Sequence, residues 1–354
     1  MGALKVAIIA SARFPIREPF AGGLESHTWS LSRALTARGH QVTVFAAPGS
    51  DPTLGVDYLP VATMALSPAA RDDVSMCADR WLAEHHAYLQ LMLDLADEPR
   101  RFDVVHNNSL HYLPIAMAPV VRPPMVTTLH TPPTPWLESA LQTRTRCPIT
   151  FVSVSIHTAH AWRHLIPDPH VIYNGVDLDR WVPGPGGGPL MWSGRIVPEK
   201  GTHLAIEAAR LAGQPLDLVG PILDRTYFDR RVRPLLGRQV RYLGHLPQVQ
   251  LAARVAAASA VLVTPCWDEP YGLVVAEALA SGTPVAGFAT GAIPELIDSR
   301  CGRVVAPGNV GALAEVIPSV MRLDRLEVRR GAVRDWSHAR MVEQYVRLYH
   351  DITS

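Results

Sequence analysis

Val182-Pro183-Gly184-Pro185-Gly186-Gly187-Gly188-Pro189 lies just past the middle of the chain, and seven of its eight residues are glycine or proline. Nothing in it can anchor a core, so composition alone makes it a linker between domains. The total of 354 residues suits two domains at roughly 100–200 residues each.

Outward from the linker, both halves show the same alternation. Before it, residues 5–10, 41–47, 102–106, 125–130, 150–155 and 170–173 read as strands, and 22–38 and 79–96 as helices. After it come strands at 190–193, 216–220, 240–243, 260–264, 284–287 and 302–305. Helical patterns at 201–211, 251–258, 272–280 and 293–297 lie between them, and the tail is helical from 310, ending in 339–351. Strands alternating with helices imply parallel sheets covered on both faces. The expectation is an α/β chain with one domain over residues 1–181, a linker over 182–189, a second domain over 190–338 and a closing helix in 339–354. Ligands of open α/β sheets bind beyond the carboxyl ends of the strands. Two such domains therefore face a cleft, and the residues just after each strand are those to inspect.

Composition excludes several classes. With 48% hydrophobic residues and a net charge of +1, the chain is neither disordered nor an electrostatic nucleic-acid binder. No apolar run approaches the ~20 residues of a membrane span, and the first one is short for a signal peptide; a cytoplasmic protein is expected. Cys77, Cys147, Cys266 and Cys301 lie far apart, without a metal or disulfide spacing. Asp177-Leu178-Asp179 has the form of a metal-binding DxD but sits beside a turn, and an ordinary loop is expected there. Trp81, Leu82, Leu89 and Leu93 read as a core stripe, and the six arginines within residues 225–241 as a solvated face that could also meet anionic lipid or an acidic acceptor.

Four stretches can carry chemistry. In Trp267-Asp268-Glu269-Pro270-Tyr271-Gly272-Leu273-Val274-Val275-Ala276-Glu277, a strand runs into a turn and then a helix, with Pro270 suited to its first turn. The free amides of Tyr271 to Val274 then form an anion site. Glu269 and Glu277, eight positions apart, stand roughly a dozen ångströms apart, too far for a paired-carboxylate hydrolase of the retaining type. In Ser193-Gly194-Arg195-Ile196-Val197-Pro198-Glu199-Lys200-Gly201, Arg195 and Lys200 can flank a diphosphate. Of 33 basic residues only Lys5 and Lys200 are lysine. Phe20-Ala21-Gly22-Gly23-Leu24-Glu25 opens a helix with adjacent glycines. His130 ends a strand in Thr128-Leu129-His130-Thr131-Pro132, a cleft position for a titratable ring.

Taken in order, these motifs resemble the retaining glycosyltransferases of family 4, with two Rossmann-like domains in the GT-B architecture. Asn174-Gly175-Val176-Asp177 and the E-x7-E element from Glu269 to Glu277 belong to the match, which runs over essentially the whole chain. The resemblance implies a nucleotide-sugar donor in the second domain. Glu277 would hold the ribose, and Arg195 and Lys200 would neutralise the leaving diphosphate beside Gly194. The amides of Gly272, Leu273 and Val274 would meet phosphate and sugar, with Glu269 on the sugar hydroxyls. Tyr271 stands where relatives often have phenylalanine. The turn Gly244-His245-Leu246 would meet the base, Gly22 and Gly23 the diphosphate or the acceptor, and His130 the donor sugar.

It further implies retention by front-face attack, no cofactor and no metal. Residues 48–98 and the loops after His106 and His130 would choose the acceptor, which is a small molecule, a lipid-linked precursor or a glycan; a lipid acceptor would bring peripheral membrane contact. A non-catalytic nucleotide-sugar-binding module and a sugar-nucleotide epimerase are the alternatives. The intact set of Glu269, Glu277, Arg195 and Lys200 favours the transferase.

Overall fold

The computed structural model describes residues 2–59, 64–72, 79–143 and 148–354; Cys77, Cys147 and part of residues 48–98 lie outside them. The first sheet contains β1 (Lys5–Ile9), β2 (Gln41–Ala46), β3 (Val56–Tyr58), β4 (Val104–Asn107), β5 (Met125–Leu129), β6 (Ile149–Ser153) and β7 (His170–Val171). Their spatial order is β3-β2-β1-β4-β5-β6-β7. The second contains β8 (Leu190–Ser193), β9 (Leu216–Val219), β10 (Val240–Tyr242), β11 (Val261–Val263), β12 (Val285–Phe288) and β13 (Gly302–Val305), ordered β10-β9-β8-β11-β12-β13. The strands pair in parallel throughout both sheets. Central strands are continuously apolar because helices cover both faces: Val6, Ala7, Ile8 and Ile9 are fully buried.

In each sheet the chain order reverses between two neighbouring strands, β1 and β4 in the first and β8 and β11 in the second. At such a reversal the following loops leave on opposite faces and open a crevice. The loops after these four strands accordingly carry most of the candidate site.

The longer helices are α1 (Gly23–Ala37), α2 (Asp79–Asp97), α3 (Pro135–Gln142), α4 (Ile156–Trp162), α5 (Thr202–Leu211), α6 (Gln248–Ala257), α7 (Leu273–Ala280), α8 (Val310–Val320), α9 (Arg325–Asp335) and α10 (His338–Thr353). Helix α10 begins at Ser337, whose hydroxyl accepts the Arg340 amide, a capping arrangement that satisfies one open donor. Its buried residues Met341, Val342, Tyr345, Leu348 and Tyr349 follow helical spacing and form one apolar stripe. That stripe packs with Leu31, Leu35, Val6 and Val126 in the core of the first domain, so the last helix closes the first sheet after the second has been completed.

The Gly/Pro segment between the sheets is bonded along its length. Gly188 donates to the Ala257 carbonyl at 2.9 Å, and Arg325 donates to carbonyls of Gly184 and Ala256 at 3.2 and 2.7 Å. A Cβ on Gly184 would come within 2.5 Å of the Ala256 carbonyl; glycine is what lets this strip lie against the end of α6. The apolar core of the second domain also takes in Val154, Val176 and Trp181 beside Tyr271 and Val275. No described helix is long and apolar enough to cross a membrane.

Two local expectations need correction. Trp81 is 37% and Leu93 46% exposed, so the stripe on α2 is not all core. Helix α7 opens at Leu273 rather than at Pro270, because Gly272 takes a left-handed φ of 100° and acts as its cap. Only glycine reaches that conformation without strain, and a Cβ there would also meet Ile293 at 2.7 Å. Pro270 serves instead as an acceptor: its carbonyl receives Ser155 Oγ at 2.6 Å and Thr158 Oγ1 at 3.0 Å from the first domain.

Candidate active site

One cavity between the domains is lined by Gly22, Gly23, His130, Gly194, Arg195, Lys200, Leu246, Glu269, Tyr271, Gly272, Leu273, Val274 and Glu277. The structure thus gathers residues that the sequence spreads over more than 250 positions. Gly244 is not in the lining. Its carbonyl accepts the Gly220 amide at 3.0 Å, and His245 and Leu246 reach the cavity in its place.

Glu269 and Lys200 meet each other. Lys200 Nζ lies 2.5 Å from Glu269 Oε2, and the Trp267 indole N–H donates to the same oxygen at 3.0 Å. The two loops are fixed by backbone: the Cys266 amide donates to the Glu199 carbonyl at 2.8 Å. Gly201, at φ 63°, lets its loop lie against Thr264, whose carbonyl a Cβ would meet at 2.0 Å. Lys200 also sits 4.9 Å from the Trp267 ring centroid, a distance at which the ring quadrupole attracts the ammonium. Arg195 makes no hydrogen bond or ion pair among the described residues. The amides of Gly272, Leu273 and Val274, at the start of α7, likewise donate to no protein acceptor among them. A cation fork and a positive helix end therefore face the same space.

Glu277 lies on α7, 9% exposed and on the cavity wall. Burial pushes its carboxyl up to about 8, with Arg180 opposing the shift. Across the cleft, the glycine pair lies close against the second domain: a Cβ on Gly23 would stand 3.0 Å from Leu273, and one on Gly22 would meet Glu25 of its own helix at 3.1 Å and Arg195 at 3.9 Å. Glu25, at 5% exposure, is a cavity residue that the sequence reading did not single out. Burial raises its carboxyl pKa, against the pull of Arg195 and Arg13.

His130 Nε2 donates to Asn108 Oδ1 at 2.7 Å, and its ring lies 5.0 Å from that of His27. Burial, then His27 and His106, hold it well below the ordinary imidazole value, so it stands neutral at neutral pH. His106 is turned away from the cleft, bonded to Tyr349 and Thr128 at 2.7 Å each. Tyr271 lines the cavity, and its hydroxyl donates to the Asn174 carbonyl at 2.6 Å and bridges the domains.

Other bonds hold the halves together. Glu295 accepts the Ile156 and His157 amides at 3.0 and 2.6 Å and the Tyr173 hydroxyl at 2.8 Å. His245 donates to the Phe20 carbonyl at 2.9 Å, and the Gln248 amide donates to Glu18 Oε2 at 3.3 Å; Glu18 is itself paired at 2.6 Å with Arg180 of its own domain. Asp177 is occupied locally, accepting the Asp179 and Arg180 amides, which is the ordinary loop expected there. Within residues 225–241, Asp229 pairs with Arg225 and Arg233 at 3.1 and 3.2 Å, and Asp217 pairs with Arg241 at 2.8 Å.

Both halves of the chain match known families. Residues 21–180 match the family model for Glycosyltransferase Family 4, and residues 189–332 that for Glycosyl transferases group 1. The chain is 31% identical over 344 residues to a glycogen synthase of Mycobacterium tuberculosis, covering 85% of this chain and 82% of that one. It is 26% identical to a phosphatidyl-myo-inositol mannosyltransferase of Mycobacterium leprae, over 94% of each. The fold superposes on Anabaena HepE, solved with UDP and glucose, with a TM-score of 0.76 at 17% identity over 98% of this chain and all of that one. Two parallel α/β domains, the matching of both halves and the shared cleft place the chain in the family 4 glycosyltransferases, with the GT-B architecture.

Proposed function

We propose that the cleft transfers a sugar from a nucleoside-diphosphate donor to a hydroxyl acceptor, retaining the anomeric configuration, without a metal or other cofactor. The observation that carries this reading is the convergence of Arg195, Lys200 and the open amides of Gly272 to Val274 on one cavity. Negative charge grows on the diphosphate as the glycosidic bond breaks, and preset donors aimed there lower the barrier. The glycogen synthase and phosphatidyl-myo-inositol mannosyltransferase relatives, and the fold neighbour that holds UDP, support a sugar-transfer role.

In this reading Glu277 takes the ribose hydroxyls and Leu246 lies against the base. The bond from the anomeric carbon to the β-phosphate oxygen breaks while the acceptor oxygen bonds to the same face of that carbon. The acceptor proton passes to the departing phosphate oxygen. No protein nucleophile is required, and Glu269 is poorly placed to be one, since Lys200 and Trp267 already hold its oxygen. Glu269 instead accepts hydroxyls of the donor sugar, and neutral His130 faces that sugar from the opposite domain. The closed cleft excludes water that would otherwise hydrolyse the donor.

The test is thermal stabilisation by UDP, GDP, ADP and dTDP, with and without EDTA. One nucleotide should raise Tm far more than the others, indifferent to EDTA, with the gain lost in Glu277→Ala. No stabilisation at millimolar ligand would remove the donor-site assignment.

A further inference from the structure

Three segments of the first domain bring aromatic rings to one place. Trp81 and His85 come from α2, His111 and Tyr112 from the loop after β4, and Trp136 from α3. Trp81 stacks on His85 with centroids 5.3 Å apart and planes 14° apart. Trp136 lies 5.7 Å from Trp81, 5.2 Å from His111 and 5.0 Å from Tyr112. The Tyr112 hydroxyl is hydrogen-bonded to His85 Nδ1 at 3.0 Å. Trp81 keeps 37% of its surface exposed.

The cluster adjoins the cleft. Leu110, next in sequence to His111, lines the cavity, as does Thr131 in the loop that leads into α3. Tyr88, stacked 4.5 Å from His111, donates its hydroxyl to the Ala10 carbonyl and accepts the Ala12 amide, which fixes the cluster to the β1 loop. Beneath the rings sits an unused donor. His111 Nδ1 accepts the Leu113 amide at 3.2 Å, so the proton of the neutral ring is on Nε2, which is buried without a partner among the described residues.

We propose that Trp81, Trp136 and His85 form an acceptor subsite for the pyranose ring of a glycan, resting on the donor-site reading under Proposed function. The C–H face of a pyranose carries partial positive charge and lies against the negative face of an aromatic ring. Its hydroxyls point outward at the ring edge, where the Tyr112 hydroxyl and the His85 ring can exchange their mutual bond for bonds to the sugar. A lipid chain would favour aliphatic walls; this platform is aromatic and interleaved with imidazoles. The subsite belongs to the first domain and adjoins the cavity through Leu110 and Thr131, on the side from which an acceptor hydroxyl would enter.

The experiment is saturation-transfer NMR and tryptophan fluorescence on the full chain. The probes are methyl α-glucopyranoside, methyl α-mannopyranoside and maltotriose, with vesicles of phosphatidylglycerol as the competing case. At least one glycoside should bind to the wild type, with affinity falling tenfold or more in Trp81→Ala. His85→Ala, a milder change at the same surface, should weaken binding less. Stabilisation by the nucleoside diphosphate should be unchanged in both, which separates this subsite from the donor site. Failure of every glycoside to bind, equal binding by Trp81→Ala, or vesicle binding that Trp81→Ala abolishes would each overturn the proposal. Loss of nucleotide stabilisation in the wild type would instead overturn the donor reading alone.

Discussion

Lys200 Nζ lies 2.5 Å from Glu269 Oε2, joining two residues 69 positions apart across the carboxyl ends of β8 and β11. Their side chains are only 19% and 16% exposed, so solvent screens the pair incompletely. Removing one partner leaves the other charge poorly solvated. Lys200→Met and Glu269→Gln should each lose about 1–3 kcal/mol of stability, between the exposed and fully buried limits. The double variant Lys200→Met/Glu269→Leu should recover most of that loss in thermal melts and none of the activity. Recovery of transfer in the double variant would show the pair to be structural only.

Arg195 provides the contrast. It has no protein partner among the described residues, so Arg195→Ala should leave stability within the range of an ordinary surface change, about 0.5 kcal/mol. Its kcat for sugar transfer should fall by ~10²–10³. Comparable loss of stability and activity would mean that Arg195 holds the fold rather than the diphosphate.

Glu277 makes stability depend on pH. Unfolded, its carboxyl ionises near 4.5; folded, it keeps its proton up to about 8. Its contribution is fully present below the lower value. As pH rises through the window the unfolded chain gives up a proton that the folded chain retains, and folding weakens. Glu277→Gln removes that dependence. Its Tm relative to the wild type should climb from pH 5 to pH 8, by a free energy below ~5 kcal/mol at about 1.4 kcal/mol per pH unit. A difference flat across that range would contradict the burial argument.

Much of this was legible because parallel strands announce themselves. The apolar runs of β8 and β13, bounded by glycine and proline, have the ends expected from sequence. Strand β3, at the edge and largely exposed, and α4, opened by Ser155 and rich in histidine, carry no comparable apolar period. Pro270 misled because proline favours a first helical turn, while the left-handed Gly272 sets the true start. The motifs reported which residues share the cleft. They could not report that Lys200 and Glu269 pair, or that Tyr271 reaches Asn174, because those bonds depend on how loops from separate strands are set against each other. The exposure of Trp81 was hidden for the same reason: a stripe on a helix does not say what covers it.

Glu295 ties the halves through three bonds, to the Ile156 and His157 amides and the Tyr173 hydroxyl. Glu295→Ala removes all three while leaving the cavity lining intact. Small-angle scattering should show a larger radius of gyration, and the KM for the donor should rise several-fold with little change in the melting of either domain. Unchanged scattering would mean that the apolar seam around Tyr271 and Val275 holds the closed form without this carboxylate.

The most direct measurement follows anomeric protons by NMR while the protein acts on the sugar donor whose nucleotide stabilises it, in the presence of EDTA. A new glycosidic signal with the donor's own anomeric configuration, matched by release of one nucleoside diphosphate per bond formed, is the result expected of a retaining, metal-free transferase. An inverted anomer, dependence on a divalent cation, or a free epimerised sugar without a new linkage would contradict that assignment.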